Sequence, residues 1–354
     1  MTNKYLTEHV QKLHPYVAGI QPQETGWIKL NTNENPYPPS PQIAEMLKTT
    51  DLATLRLYPP GDGGQLRTAI AKAVGVEEQN IFCGNGSDEV LALAFQAFFS
   101  KKSSIYTPDI SYGFYPVWGN MYNVPLNFIP LQDDFTLNPD DYKNGKGVIL
   151  ANPNAPTGIA LGLSAIETIL KQNPDGVVLI DEAYIDFANV PSAVELLPKY
   201  ENLLVVRTFS KSHALAGMRV GYAIGHPGLI EGLNLTKESF NSYPIDILAQ
   251  TVAAIAISDK SYLNQTCEKV IATRQRTITA LENMGYNVLP AQGNFIFIDV
   301  SANDQQSAKD LYNHLLENKI LARYWDKPRI SEFLRVTIGA DEEMERFLSC
   351  VKQQ

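Results

Sequence analysis

Three short segments hold residues whose types and spacing could do chemistry. The first is Val205-Val-Arg-Thr-Phe-Ser-Lys-Ser-His-Ala-Leu-Ala-Gly-Met-Arg-Val-Gly-Tyr. Lys211 stands just past an apolar run, with Thr208 and Ser210 before it and Arg219 eight residues on. Hydroxyls, an amine and a guanidinium between two apolar strands can offer a nucleophile next to an anion site. A lysine taken alone is ordinarily a surface residue. The second segment is Val177-Val-Leu-Ile-Asp-Glu-Ala-Tyr. Asp181 ends an apolar run and Tyr184 follows it. Ligands of open α/β sheets bind at such carboxyl ends, and an acid beside apolar neighbours is costly without a partner. A solvated acid at a strand end is the plainer alternative. The third is Ile81-Phe-Cys-Gly-Asn-Gly-Ser-Asp-Glu. A short strand runs into a glycine turn, and Ser87 or Asp88 starts a helix. Free N–H groups at a helix start, with the helix dipole behind them, bind phosphate. The same residues also make an ordinary helix cap.

The elements that must position these segments alternate. β-Branched runs mark strands at Ile81–Cys83, Ser104–Thr107, Val124–Ile129, Val148–Ala151, Val177–Ile180, Leu203–Arg207 and Val220–Ile224. Helical patterns lie between them, including Ser87–Phe99, Ser111–Asn120 and Ser164–Lys171. Strands with no polar face fit a mostly parallel sheet covered on both sides, which is an α/β fold. Pro244 then opens a long helical stretch, Ile245 to Met284, as two helices meeting near Asp259. A smaller α/β unit follows: strand Phe295–Val300, helix Ser307–Asn318, strands Ile320–Tyr324 and Leu334–Ile338, helix Asp341–Lys352. The proline-rich start reads as an extended arm outside the sheet. The expected division is an arm over 1–42, a large domain over 43–245 and a small domain over 246–354.

Composition narrows the classes. The net charge of −9 argues against a nucleic-acid protein, which would carry a basic stripe. It leaves room for anionic small ligands, because a site can be basic on an acidic surface. Cys83, Cys267 and Cys350 lie far apart and read as reduced thiols of a cytoplasmic protein. No apolar run approaches the ~20 residues of a membrane span. The histidines, His9, His14, His213, His226 and His314, lack metal spacing, so no metal is expected. Walker, dinucleotide and nucleophile-elbow motifs are missing too.

Taken together, the segments resemble the fold type I pyridoxal-phosphate aminotransferases, and among them the histidinol-phosphate aminotransferases. The likeness spans nearly the whole chain. It is carried by Leu30-Asn-Thr-Asn-Glu-Asn-Pro, Leu57-Tyr-Pro-Pro-Gly, Gly84-Asn-Gly-Ser-Asp-Glu, Asn152-Pro-Asn-Ala-Pro-Thr-Gly, Asp181-Glu-Ala-Tyr, Thr208-Phe-Ser-Lys and Phe333-Leu-Arg-Val-Thr-Ile-Gly. The resemblance implies pyridoxal 5'-phosphate held by Lys211 as a Schiff base. It implies Asp181 on the ring nitrogen and Tyr184 on the phenolic O3', with Tyr112 stacked on the ring. Ser87, Asp88, Thr208, Ser210 and Arg219 would hold the phosphate, and Tyr58 would reach the phosphate of the neighbouring subunit of a homodimer. Arg335 and Arg323 would bind the substrate's anion, and Tyr16 would cross the dimer to cover the substrate. One position departs from the pattern: Ala155 stands where the family usually has an asparagine that contacts O3'. Asn154 is then the replacement to expect, with Asn152 as an alternative and Tyr184 acting alone as another. His213, in Ser212-His213-Ala214 where Ala-Phe-Gly is usual, reads as a packing or capping residue. The implied reaction exchanges an amino group between histidinol phosphate and 2-oxoglutarate, giving imidazole acetol phosphate and glutamate. The alternatives are an aromatic amino-acid aminotransferase or a threonine-phosphate decarboxylase of the same fold. A transcriptional regulator built on this fold would carry a DNA-binding domain ahead of it, for which the arm is too short.

Overall fold

The computed structural model describes residues 4–353 apart from 18, 23, 103, 304 and 305. A short helix, α1 (Glu8–Gln11), precedes strand β1 (Ile28–Lys29) and helices α2 (Gln42–Thr49) and α3 (Gly64–Val74). The alternating part runs β2 (Ile81–Gly84), α4 (Gly86–Phe98), β3 (Ile105–Pro108), α5 (Tyr115–Tyr122), β4 (Leu126–Ile129) and β5 (Gly147–Ala151). It continues through α6 (Leu163–Gln172), β6 (Val177–Asp181), β7 (Leu203–Thr208), β8 (Gly221–Gly225) and α7 (Pro227–Glu238). Helices α8 (Ile247–Ser258) and α9 (Lys260–Asn283) lead to β9 (Asn287–Val288), β10 (Phe295–Asp299) and α10 (Ala308–Glu317). The chain closes with β11 (Ile320–Leu321), β12 (Arg323–Tyr324), β13 (Phe333–Thr337) and α11 (Asp341–Lys352).

The large sheet has the order β2-β8-β7-β6-β5-β3-β4. Strand β8 is antiparallel to both neighbours, and the other pairs are parallel. Its central strands are apolar on both faces up to their carboxyl ends, because both faces are covered. Val148, Val178, Ile180, Leu203 and Val205 pack on one side against α3, α6 and α8. Ile149, Leu179, Leu204 and Val206 pack on the other against α4, α5 and α7. A second sheet, β12-β13-β10-β9, is antiparallel and shares a core with α9, α10 and α11.

Four expectations are corrected. Helix α5 begins at Tyr115, not Ser111, because Pro116 in its first turn offers no N–H and favours a helix start there. The strand expected over Ile320–Tyr324 is two strands: β11 pairs with β1, and β12 pairs with β13. The arm is accordingly not wholly outside the sheets. Ile28 and Leu30 are apolar, and their burial in the second core draws β1 into a parallel pair with β11. The break expected at 246 precedes a helix, α8, that packs with the large sheet. The chain passes to the second core at Asp259, which closes α8 and caps α9 through Tyr262 N.

Candidate active site

The carboxyl ends of β6 and β7 and the start of α4 face one hollow of about 170 Å³. Strand β6 delivers Asp181, β7 delivers Thr208, and the loop after β7 brings Ser210 and Lys211.

One end of the hollow is rich in donors. Helix α4 has no side-chain cap, so its first N–H groups are left to a ligand. Strand β8 passes so close that a Cβ on Gly221 would lie 2.3 Å from Ser87 N, and only glycine fits. Arg219, at φ +52 after a tight turn, brings its Nη2 to 3.3 Å from Asp88 Oδ2. That pair is half exposed and adds little stability. Its consequence is to hold a guanidinium over the helix start. Thr208 and Ser210 line the same end. Amide donors, hydroxyls and a guanidinium in this arrangement fit a phosphate.

The other end is built around a buried acid. Tyr115 OH donates to Asp181 Oδ2 at 3.0 Å and Ala183 N donates to Oδ1 at 3.2 Å. Burial outweighs both bonds and pushes the Asp181 carboxyl up to about 7. Among the described residues no cation pairs with it. A cationic N–H donor at this point would supply the missing partner. Lys211 Nζ donates to the carbonyl of Thr32 at 3.0 Å. Desolvation, helped by Arg335, lowers its ammonium to about 8, so the neutral amine is within reach near physiological pH. Tyr184 OH accepts from Asn33 Nδ2 at 3.0 Å. Tyr112 OH donates to Asp88 Oδ1 at 2.9 Å, which leaves its ring as part of the wall.

A second hollow of about 270 Å³ shares Tyr112, Ala155 and Tyr184 with the first and adds Tyr16, Trp325 and Arg335. Arg335 Nη2 donates to Asn31 O at 2.8 Å, while its Nε is buried without a partner among the described residues. An anion in the second hollow would satisfy that donor.

The structure thus gathers Lys211, Asp181, Tyr184, Ser87, Asp88, Tyr112, Thr208, Ser210 and Arg219 around the first hollow, and Tyr16 and Arg335 around the second. Asn154 does not join them. Its Oδ1 accepts from Ser111 at 2.8 Å, and its Nδ2 donates to Ile110 O and Thr157 Oγ1, each at 3.0 Å. The amide is fully engaged in holding its own loop, and Ala155 forms the wall instead. Asn152 is engaged likewise with Leu161. Arg323 lines neither hollow; it donates to Val17 O at 2.9 Å and lies 5.3 Å from the Trp325 ring centroid. Tyr58 is 82% exposed and stacks on Tyr243, away from its own chain's site. Tyr16 was expected to serve a neighbouring subunit, but it stacks on Phe114 of its own chain at 4.5 Å, because the arm folds back beside the second hollow. His213 is buried against Phe209, as a packing residue would be. Sequence reasoning missed Tyr115, Asn33 and Trp325. Asn33 lay inside a quoted motif; Tyr115 was placed inside a helix rather than at its start.

The family model for aminotransferase class I and II matches residues 25–351. A histidinol-phosphate aminotransferase of Marinomonas sp. is 48% identical over 354 residues, with 99% of each chain covered. Histidinol-phosphate aminotransferase 1 of Hydrogenovibrio crunogenus is 50% identical over 343 residues, covering 96% of this chain and 95% of that one. The solved histidinol-phosphate aminotransferase of Sinorhizobium meliloti, in complex with pyridoxal-5'-phosphate, shares the fold. It has a TM-score of 0.87 over 99% of this chain and 97% of that one, at 22% identity. With its α/β fold, its gathered lysine, acid and helix start, and these relatives, the chain belongs to the aminotransferase class I and II family, among the histidinol-phosphate aminotransferases.

Proposed function

We propose that this enzyme transfers an amino group between histidinol phosphate and 2-oxoglutarate in histidine biosynthesis, with pyridoxal 5'-phosphate as cofactor. The observation that carries the cofactor is a single hollow with an uncapped helix start at one end, a buried acid without a cationic partner among the described residues at the other, and a lysine amine beside them. Ser87, Asp88, Thr208, Ser210 and Arg219 would hold the phosphate, Asp181 the ring nitrogen, Tyr184 the phenolic oxygen and Tyr112 the ring face. Pyridoxal phosphate, when bound, supplies an aldehyde that bonds an amine and a ring that draws in the electron pair left at the substrate Cα. Lys211 would supply that amine, and its Nζ, when free, would take the proton from the substrate Cα. Thr32 O is placed to hold the free amine in the meantime.

The second hollow suits the substrate's remaining groups. Arg335 offers an unmet donor to an anion, and Tyr16, Tyr184 and Trp325 give flat walls for an imidazole ring. Histidinol phosphate and 2-oxoglutarate must use the same anion site in turn. Arg335→Ala is therefore expected to raise KM for every substrate by roughly ten- to a hundred-fold. Arg323 lies one indole away and outside the hollow, so Arg323→Ala should do less, and chiefly to the dianionic phosphate ester. An equal loss for a monoanionic amino acid in steady-state assays would contradict that division. The assignment itself is tested by kcat/KM with 2-oxoglutarate as acceptor. Histidinol phosphate should exceed phenylalanine and tyrosine; the reverse order points to an aromatic aminotransferase with the same cofactor chemistry.

The working unit is a homodimer with shared sites, in the cytoplasm. Tyr58 supports the shared site because it is exposed and turned from its own hollow. The three cysteines are free and buried, as suits a reducing compartment. Mixed Lys211→Ala and Tyr58→Ala subunits should rebuild one intact site per mixed dimer. Activity that stays absent after demonstrated subunit exchange would argue that Tyr58 does not act across the interface.

A further inference from the structure

The direction of the Tyr184 hydroxyl is set from outside the hollow. Asn33 is 1% exposed and sits at φ +56, a left-handed conformation that asparagine tolerates. Its backbone N–H donates to Thr337 Oγ1 at 2.9 Å. That hydroxyl has one proton of its own, and gives it to Asn33 Oδ1 at 3.0 Å. With Oδ1 held as an acceptor, the amide must turn Nδ2 toward Tyr184, where it donates to the hydroxyl at 3.0 Å. The backbone N–H can only donate, so it fills one lone pair of the hydroxyl; the hydroxyl's own proton has Asn33 Oδ1 as its one acceptor among the described residues, and that sets the later directions. Asn294 Nδ2 holds the Asn33 carbonyl at 3.1 Å, and Asn294 and Thr337 are themselves buried. Tyr184 OH therefore accepts from the arm, and its own proton has no acceptor among the described residues. That proton is left to point into the hollow that Tyr184 lines.

The surroundings give this direction a consequence. Ala155 brings no amide to the wall, and the Asn154 amide is spent on Ile110 and Thr157. Neither supports Tyr184 as a second donor. We propose that Asn33 is a positioning residue, which fixes Tyr184 as the hydrogen-bond donor to the phenolic oxygen of bound pyridoxal phosphate. This rests on the reading that the hollow holds that cofactor. The charged groups facing Tyr184 are Lys211, with Nζ 5.8 Å from the ring centroid, Asp181 at the end of β6, Asp88 on α4 and Arg335 on β13. All of them remain when Asn33 is changed.

The test is a pH titration of the visible band of the reconstituted enzyme. Donation from Tyr184 would draw charge from the phenolic oxygen and loosen the proton that this oxygen would share with Lys211 Nζ, itself joined to the cofactor's aldehyde carbon. Loss of donation therefore raises the midpoint. Asn33→Ala should raise it by about half a pH unit, as expected for one hydrogen bond. Tyr184→Phe should raise it further. The double variant should match Tyr184→Phe alone, because Asn33 acts through Tyr184. Thr337→Val leaves Asn33 in place and frees its amide to turn; it should raise the midpoint by less, and it serves if Asn33→Ala does not fold. Unchanged midpoints in both single variants, or Asn33 and Tyr184 shifts that add, overturn the proposal. A wild-type enzyme with no visible band and no borohydride-trapped cofactor would instead overturn the cofactor reading beneath it.

Discussion

Lys211→Ala should lose at least about a thousand-fold in kcat/KM while still binding pyridoxal phosphate. A positioned acid–base group alone is worth roughly 10²–10⁴-fold, and Lys211 is proposed to have two duties: to anchor the cofactor and to move the substrate's proton. The other contacts that would hold the cofactor lie elsewhere, at the start of α4, on β6 and in Arg219, so binding should survive the change. The lysine's setting supports both duties. Desolvation and the charge of Arg335 bring its ammonium down to about 8, and Thr32 O holds the amine without neutralising it. Steady-state kinetics and equilibrium dialysis check the two halves. A variant with normal turnover would remove Lys211 from its role. One that fails to bind cofactor would show that the donor-rich end is too weak to hold it alone.

The second large effect belongs to Asp181. Asp181→Asn keeps shape and one acceptor oxygen, turns the other oxygen into a donor NH2, and deletes the charge that would keep the ring nitrogen protonated. A drop in kcat on the order of 10²–10³-fold is expected, the scale of losing one preorganised electrostatic contact, with KM little changed. The ligand-free enzyme should carry a matching signature. Burial in the ligand-free chain pushes the Asp181 carboxyl from its ordinary 3.8 up to about 7. Folding thus favours its protonated form, and the stability it contributes is lost as pH rises through about 7. Asp181→Asn removes that loss, so its melting temperature should fall less than that of the wild type between pH 5 and 8. Parallel melting curves across that range, together with a near-normal kcat, would mean the nitrogen partner has been misassigned.

The alternating strands and helices were readable because the central strands carry no polar face before their carboxyl ends, as a doubly covered sheet requires. The meeting of Lys211, Asp181 and Ser87 at one hollow was readable because strand ends and helix starts are local features. Failures came where partners are distant in sequence. Ile28 and Leu30 look like arm residues until Ile320 and Leu321 lie beside them. Asn154 has the right chemistry for O3', yet Ser111, Ile110 and Thr157 claim its amide, and no local pattern announces that. Asn33 and Tyr184 are 151 residues apart and meet only because Thr337 pins the arm. Arg323 opens β12 just after Ala322, where the chain passes from one sheet to the other, and no local pattern marks that passage.

The most direct test of the central claim is where the cofactor attaches. The purified enzyme would be loaded with pyridoxal phosphate, reduced with borohydride, digested and mapped by mass spectrometry. The expected result is one pyridoxyl-phosphate adduct per chain, on the peptide that contains Lys211. An adduct on a different lysine, or none on an enzyme that turns over, would contradict the assignment of this hollow as the active site.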